Sequence, residues 1–243
     1  MQRVLALAMI LISTMARAAA GEIKEIDAYL TPAKADEYIG MEYRANVVRA
    51  GQAAQRGDGK SAWAALEDVL AFCDEQKSTD VRRIYSVHND AEAKQYRDEA
   101  GDGVTTTFVD QACPTAYKQA AFLSVREGRN EAALGYLDRA EALSPHWAEP
   151  VAERAYLVGK LGDRNKSLAL YRQALEKVER YRSSAYLKPL VLRGIGFALT
   201  ELGRLQEARE AYEAALRIEP GNALAKNELA YLDRLQADAA GSK

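Results

Sequence analysis

Apolar positions recur along this chain with the period of a helix, and they do so in blocks. Residues 192–199 place Leu192, Ile195, Gly196 and Leu199 at i, i+3, i+4 and i+7, the stripe that one face of a helix presents to a core. Beyond Gly203, Ala208, Tyr212 and Ala215 form a second stripe, and Pro220-Gly221 ends it because neither residue continues a helix well. The local prediction is two amphipathic helices around a glycine turn.

The block occurs three times. Gly128, Leu137 and Ala140 return 34 residues later as Gly162, Tyr171 and Ala174, and 41 residues after that as Gly203, Tyr212 and Ala215. A recurring step of this size means stacked supersecondary units. Small residues fall where the helices would cross: Ala121, Ala155 and Gly196 on the first helices, Ala133, Ser167 and Ala208 on the second. Such residues let helix axes approach to roughly 8–10 Å. The seven extra residues of the longer step amount to about two helical turns. Residues 165–182 contain no Pro or Gly, so the prediction there is a second helix lengthened by those turns. Residues 222–236 read as one more first helix without its mate, a polar-backed cap. Upstream, Gly57 marks a looser fourth copy, with Ala50 and Ala62 as crossing residues, Leu66 and Val69 as the second stripe, and a first helix within residues 33–55.

These residues resemble the tetratricopeptide repeat, whose first helix reads small-Gly-large and whose second reads Ala, aromatic, Ala, Pro. The third copy matches at Leu192, Ile195, Gly196, Leu199, Ala208, Tyr212, Ala215 and Pro220; the first matches at Tyr117, Ala121, Ala133, Leu137, Ala140 and Pro145. The second departs, with Arg154 at an apolar position, Ser167 for Ala and no terminal Pro. The resemblance implies an all-α solenoid of stacked helix pairs with a capping helix. The expected organisation is a signal peptide over residues 1–20, N-terminal helices with one degenerate repeat over 21–73, an insertion over 74–112, and three repeats plus the cap over 113–243.

Within residues 74–112 the helical period fades. Residues 82–87 alternate as a short strand, residues 104–109 are rich in β-branched side chains, and residues 90–99 between them read as a helix. The expectation is a small α/β insertion with a hairpin-like strand pair packed on the helices, since two strands alone are marginal in water.

The first residues change the compartment. Met1-Gln2-Arg3 is followed by nine uncharged, mostly apolar residues and then by Ala16-Arg17-Ala18-Ala19-Ala20. This is the pattern of a cleavable secretory signal, and it is too short for the roughly 20 residues of a membrane-spanning helix. Cleavage after Ala18 or Ala20 removes Arg3 and Arg17 and takes the net charge from −2 to −4. No global basic field for nucleic acid remains. A periplasmic or secreted location also bears on Cys73 and Cys113, the only cysteines. An even count in an exported chain invites a disulfide across the insertion, the alternative being two buried thiols.

Catalytic motifs are lacking. There is no phosphate-cradling Gly-rich loop, no Gly-x-Ser-x-Gly and no His-Glu-x-x-His, and His88 and His146 are not spaced for a metal. The expectation is a protein without catalytic residues, metal or cofactor. A row of aromatics is more informative: Phe122, Tyr156, Phe197 and Tyr231 hold one repeat position, with Lys118, Arg126, Lys160, Arg193 and Arg234 beside them. If it is open, such a ladder suits an extended peptide with carboxylate groups or a glycan whose rings stack on aromatics. If it is closed, it packs against the insertion or residues 28–43. The resemblance implies a groove for peptides, although the carboxylate-clamp variety of the family has Asn where this chain has aromatics. Two functions follow: an exported adaptor holding a peptide segment or protein of the cell envelope, or a glycan- or cell-wall-binding accessory.

Overall fold

The computed structural model of the protein describes residues 38–241. The predicted signal peptide and residues 28–37 lie outside them. The chain forms two compact units divided between Pro145 and His146.

In the first unit, strand β1 (Tyr38–Ile39) leads through a short 3-10 turn into α1 (Arg44–Gln55) and α2 (Gly59–Glu75). Then follow β2 (Arg82–Ser86), α3 (Asp90–Ala100), β3 (Thr105–Val109), α4 (Ala112–Arg126) and α5 (Asn130–Leu143). The second unit comprises α6 (Glu149–Lys160), α7 (Arg164–Arg180), a 3-10 segment (Arg182–Leu187), α8 (Lys188–Glu201), α9 (Leu205–Ile218) and α10 (Ala223–Gly241). The helices pack in pairs, α1 with α2, α4 with α5, α6 with α7 and α8 with α9.

Each pair turns on a glycine in the left-handed region, Gly57, Gly128, Gly162 and Gly203, with φ between 73° and 104°. The residue after each glycine donates its N–H to the carbonyl five places back: Asp58 to Ala53, Arg129 to Ser124, Asp163 to Val158 and Arg204 to Leu199, at 2.8–3.2 Å. This Schellman closure satisfies carbonyls that a helix end leaves open, and it needs the φ that only glycine adopts without strain. Its presence at Gly57 makes α1 and α2 a helix pair of the same kind. In two pairs the next residue also caps the second helix: Asp58 accepts from Ser61 N–H and Asp163 from Lys166 N–H, both at 3.0 Å.

The crossing residues named from the sequence, Ala50, Ala62, Ala121, Ala133, Ala155, Ser167, Gly196 and Ala208, are all buried. α8 has two notches. A Cβ at Gly196 would stand 2.8 Å from the ring of Tyr212 on α9, and one at Gly194 would enter the ring of Tyr171 on α7. The two tyrosines hold the same repeat position, so one helix receives the aromatic of its own pair and that of the pair before.

Two expectations are corrected. α7 exceeds α5 and α9 by three residues, 17 against 14, and the rest of the longer step is the 3-10 segment. Local propensity favoured a continuous helix, but tertiary contacts end it. Ser184 Oγ donates to His146 O at 2.8 Å and accepts from Ala148 N at 2.9 Å, and Tyr181 stacks on His146 with centroids 3.8 Å apart. The strands of the insertion, moreover, are parallel. The order is β1-β3-β2, with Tyr85 opposite Phe108 and Phe108 opposite Tyr38. A helix between β2 and β3 returns the chain to the end where β2 began, which forces parallel pairing.

The sheet separates two small cores. Ile84 and Val109 face α1, α2 and α4, whereas Tyr38, Val87 and Phe108 face Ala93 and Tyr96 of α3. Cys73, in the last turn of α2, is bonded to Cys113, in the first turn of α4, across 40 residues of sequence. Asp110 adds a polar joint, since Oδ1 accepts from Ala112 N–H at 2.9 Å and Oδ2 accepts from the Arg44 guanidinium at 2.8 Å.

Two stability measurements check this packing. Gly196→Leu or Gly194→Leu is expected to destabilise by about 1–3 kcal/mol or more through overpacking. Arg217→Ala, on an exposed site, should stay within about 0.5 kcal/mol. Equal melting shifts would refute the helix phase. The Cys73→Ser/Cys113→Ser variant should lose about 3–4 kcal/mol in chemical denaturation, as loop-closure entropy requires; an unchanged midpoint would mean the bridge contributes nothing.

Candidate functional site

Three of the first helices, α4, α6 and α8, leave one stripe open while their other sides are mostly buried. On α8 the stripe is Leu190, Arg193, Phe197 and Glu201; on α6 it is Glu149, Glu153, Tyr156 and Lys160. Spacings of three and four residues put each set on a single helix face. α6 and α8 pack against each other in the second unit, which brings Tyr156 and Phe197 onto neighbouring stripes. Both rings are half-buried. Burial alone raises the pKa of the Tyr156 hydroxyl. On α10, Tyr231 is half-buried and Arg234 exposed, the guanidinium 5.9 Å from the Tyr231 ring. In the first unit α4 shows the same kind of stripe, Thr115, Gln119, Phe122 and Arg126. Arg126 donates to Ala54 O at 3.0 Å and lies 5.7 Å from the Phe122 ring.

The cations are less available than the sequence suggests. Lys118 is buried, on the flank of α4 rather than on its open stripe. Arg193 is 11% exposed and ion-paired with Glu219 at the end of α9. Glu219 also accepts from the Asn222 side chain at 2.9 Å, and Asn222 in turn caps α10 by accepting from Ala225 N–H at 3.1 Å. Arg193 therefore ties α8 to the α9–α10 turn. Lys160 and Arg234 remain as exposed cations of the second unit's predicted set. The stripe residues Glu149, Glu153, Leu190 and Glu201 were missed, although stepping i−3, i+4 and i−7 from the aromatics reaches them.

A second aromatic cluster, in the first unit, was not legible in the sequence. Trp63 Nε1 donates to Glu127 at 2.7 Å, Arg129 lies 5.0 Å from the Trp63 ring, and Arg139 lies 4.7 Å from that of Tyr136. Tyr117 and Arg139 both donate to Asp74, at 2.7 and 2.8 Å. The Trp63 bond, followed by that of Arg129, holds the Glu127 carboxyl below its usual pKa. These groups satisfy one another and act as a clasp between α2 and α5.

His88 donates its backbone N–H to Glu92 Oε2 at 2.7 Å, its ring Nδ1 lies 2.9 Å from the same oxygen, and Asn89 caps α3; His146 is the stacked partner of Tyr181. Among the described residues no group of three or more His, Cys, Asp or Glu is placed to hold a metal ion. None of the described helices is long and apolar enough to cross a membrane.

Residues 189–222 match the family described as Tetratricopeptide repeat. No curated protein matches the chain. Among solved structures, the MamA RS-1 ArsTM double mutant superimposes with a TM-score of 0.50 at 14% identity, covering 82% of this chain and 88% of that one. The first tetratricopeptide domain of Spaghetti (RPAP3), bound to the HSP90 peptide SRMEEVD, gives 0.46 at 22% identity, over 53% of this chain and 97% of that one. The second such domain of human RPAP3, in complex with an HSP70 peptide, gives 0.41 at 26% identity, over 49% and 98%. The MamA likeness is one of fold.

The Arg193–Glu219–Asn222 joint has a measurable signature. Arg193→Ala and Asn222→Ala should each destabilise by about 1 kcal/mol, through a lost charge-assisted bond and a lost cap. Because both act on Glu219, the double variant should fall short of the sum; strict additivity in denaturant melts would mean that the three residues do not form one network.

Proposed function

Because the chain is a tetratricopeptide-repeat protein, matched at residues 189–222 and folded as paired helices, we propose that it is a non-enzymatic adaptor. In this reading it is exported to the periplasm or beyond, and it holds an extended segment of another envelope protein across the first-helix stripes of its second unit. The observation that carries the reading is the repetition of one aromatic at one repeat position, Tyr156, Phe197 and Tyr231, each half-buried. A ring seated in its own helix packing and bared on one side supplies contact area with little side-chain entropy left to lose. Export rests on the charged start, apolar run and Ala-x-Ala sites of residues 1–20.

The Tyr156→Ala/Phe197→Ala variant should lose capture of its partner from envelope extract while helicity and melting change little. Core aromatics would instead cost about 3–5 kcal/mol each on truncation, so an unfolded variant would make the ladder core. Binding on a glycan array that the same variant loses would assign the rings to sugar stacking. Export has its own check: intact mass of the native protein should begin at Ala19 or Gly21, and retention of Met1 would defeat it.

A further inference from the structure

The turn of the α6–α7 pair carries Asn165-Lys166-Ser167, an Asn-x-Ser acceptor pattern for an N-linked glycan. The pattern is short, and its weight comes from what the fold does with each residue.

Ser167 is the anomaly. It stands at the crossing position that the other three pairs fill with Ala62, Ala133 and Ala208. It is buried, and α6 leaves room for its extra atom at Gly159, where an added Cβ would stand 2.7 Å from Ser167 Oγ. The other first helices hold Ala54, Val125 and Thr200 at the place of Gly159. Among the described residues, no hydrogen bond uses the Ser167 hydroxyl. At this crossing the oxygen therefore brings nothing that the methyl group of alanine lacks. Asn165 is the converse, a side chain in solvent. Residues 160–166 are exposed without a break, whereas the corresponding spans of the other pairs contain half-buried residues, Gly59, Asn130 and Leu205 among them. A bulky group on Asn165 meets no packed surface of its own turn.

The acceptor pattern requires the asparagine and the hydroxyl two places on to be presented together. In a helix, residues i and i+2 face apart, and here the second of them is packed against α6. The folded pair cannot present both, so transfer has to precede the folding of α7. Chains that cross a membrane for export are unfolded at the right moment.

We propose that Asn165 carries an N-linked glycan, received from a lipid-diphosphate-linked oligosaccharide before α7 forms. The carboxamide nitrogen forms a bond to C1 of the first sugar and gives up one proton. The bond from C1 to the diphosphate oxygen breaks, and the lipid diphosphate leaves. This rests on the reading of the chain as exported. Asn165 lies on a second helix, whereas the stripes read as the binding face lie on first helices.

The test is the intact mass of the protein isolated from the envelope or medium of its own cells. The expected species begins at Ala19 or Gly21 and is heavier than its sequence by whole hexose and N-acetylhexosamine units. Asn165→Gln and Ser167→Ala, each expressed in the same cells, should both lose that increment. Ser167→Ala is the sharper of the two, because it keeps the asparagine and restores the residue of the other three pairs. A mass reports the modification whether or not a variant folds well. A mature chain at its bare sequence mass overturns the glycan and leaves export standing, whereas retention of Met1 overturns both. An increment that survives in either variant places the sugar elsewhere and overturns the assignment. Bare mature protein, refolded and returned to membranes of the same cells with their lipid-linked donor, should stay unmodified; uptake of sugar there would overturn transfer before folding.

Discussion

The structure depends on how closely its helices cross. Small residues are buried at the crossing of every pair, and the extreme case is α8, where Gly194 and Gly196 admit the rings of Tyr171 and Tyr212. Because one helix takes an aromatic from its own pair and one from the pair before, the same contact makes the pair and joins it to its neighbour. The glycine turns serve that contact. Their left-handed φ and six-to-one hydrogen bonds close each first helix in the same way and turn the chain into the second. With two sides of a first helix occupied in this way, a narrow stripe remains open.

The first unit adds a different constraint. A three-stranded parallel sheet has both faces to cover, and here α3 covers one while α1, α2 and α4 cover the other. The sheet is a shared layer between two cores rather than a lobe hanging from the helices. Its anchoring is redundant: the Cys73–Cys113 bridge, the Asp110 joint to Arg44, and Ser144 Oγ, which reaches Ser86 O at 3.3 Å. The clasp of Trp63, Tyr136, Arg129 and Arg139 holds α2 to α5 in the same unit. These contacts join residues distant in sequence, so the insertion is built into the helix pairs on both of its sides.

Two guanidinium groups of the first-helix stripes are spent internally. Arg193 completes a joint between α8, α9 and α10, and Arg126 caps a carbonyl of α1. A guanidinium so engaged positions helices, and a partner's carboxylate would have to compete with a neighbour already in place.

Much of this was legible in the sequence, for a physical reason. Helix pairs, glycine turns, crossing residues and the capping helix follow from local periodicity and from φ preferences, and each is written within about one repeat's length. The self-similarity of the copies then fixes which residues are equivalent, and so the aromatic position. Tertiary structure decided the rest. A two-residue strand such as β1 has no period to read, and the parallel order of β2 and β3 depends on where α3 packs. The end of α7 depends on Ser184 and Tyr181 meeting residues 146–148, against a local sequence that would continue the helix. The burial of Lys118, the pairing of Arg193 with Glu219 and the clasp around Trp63 share one cause. A long polar side chain is settled by what lies within its reach in space, and that is set by how the helices cross.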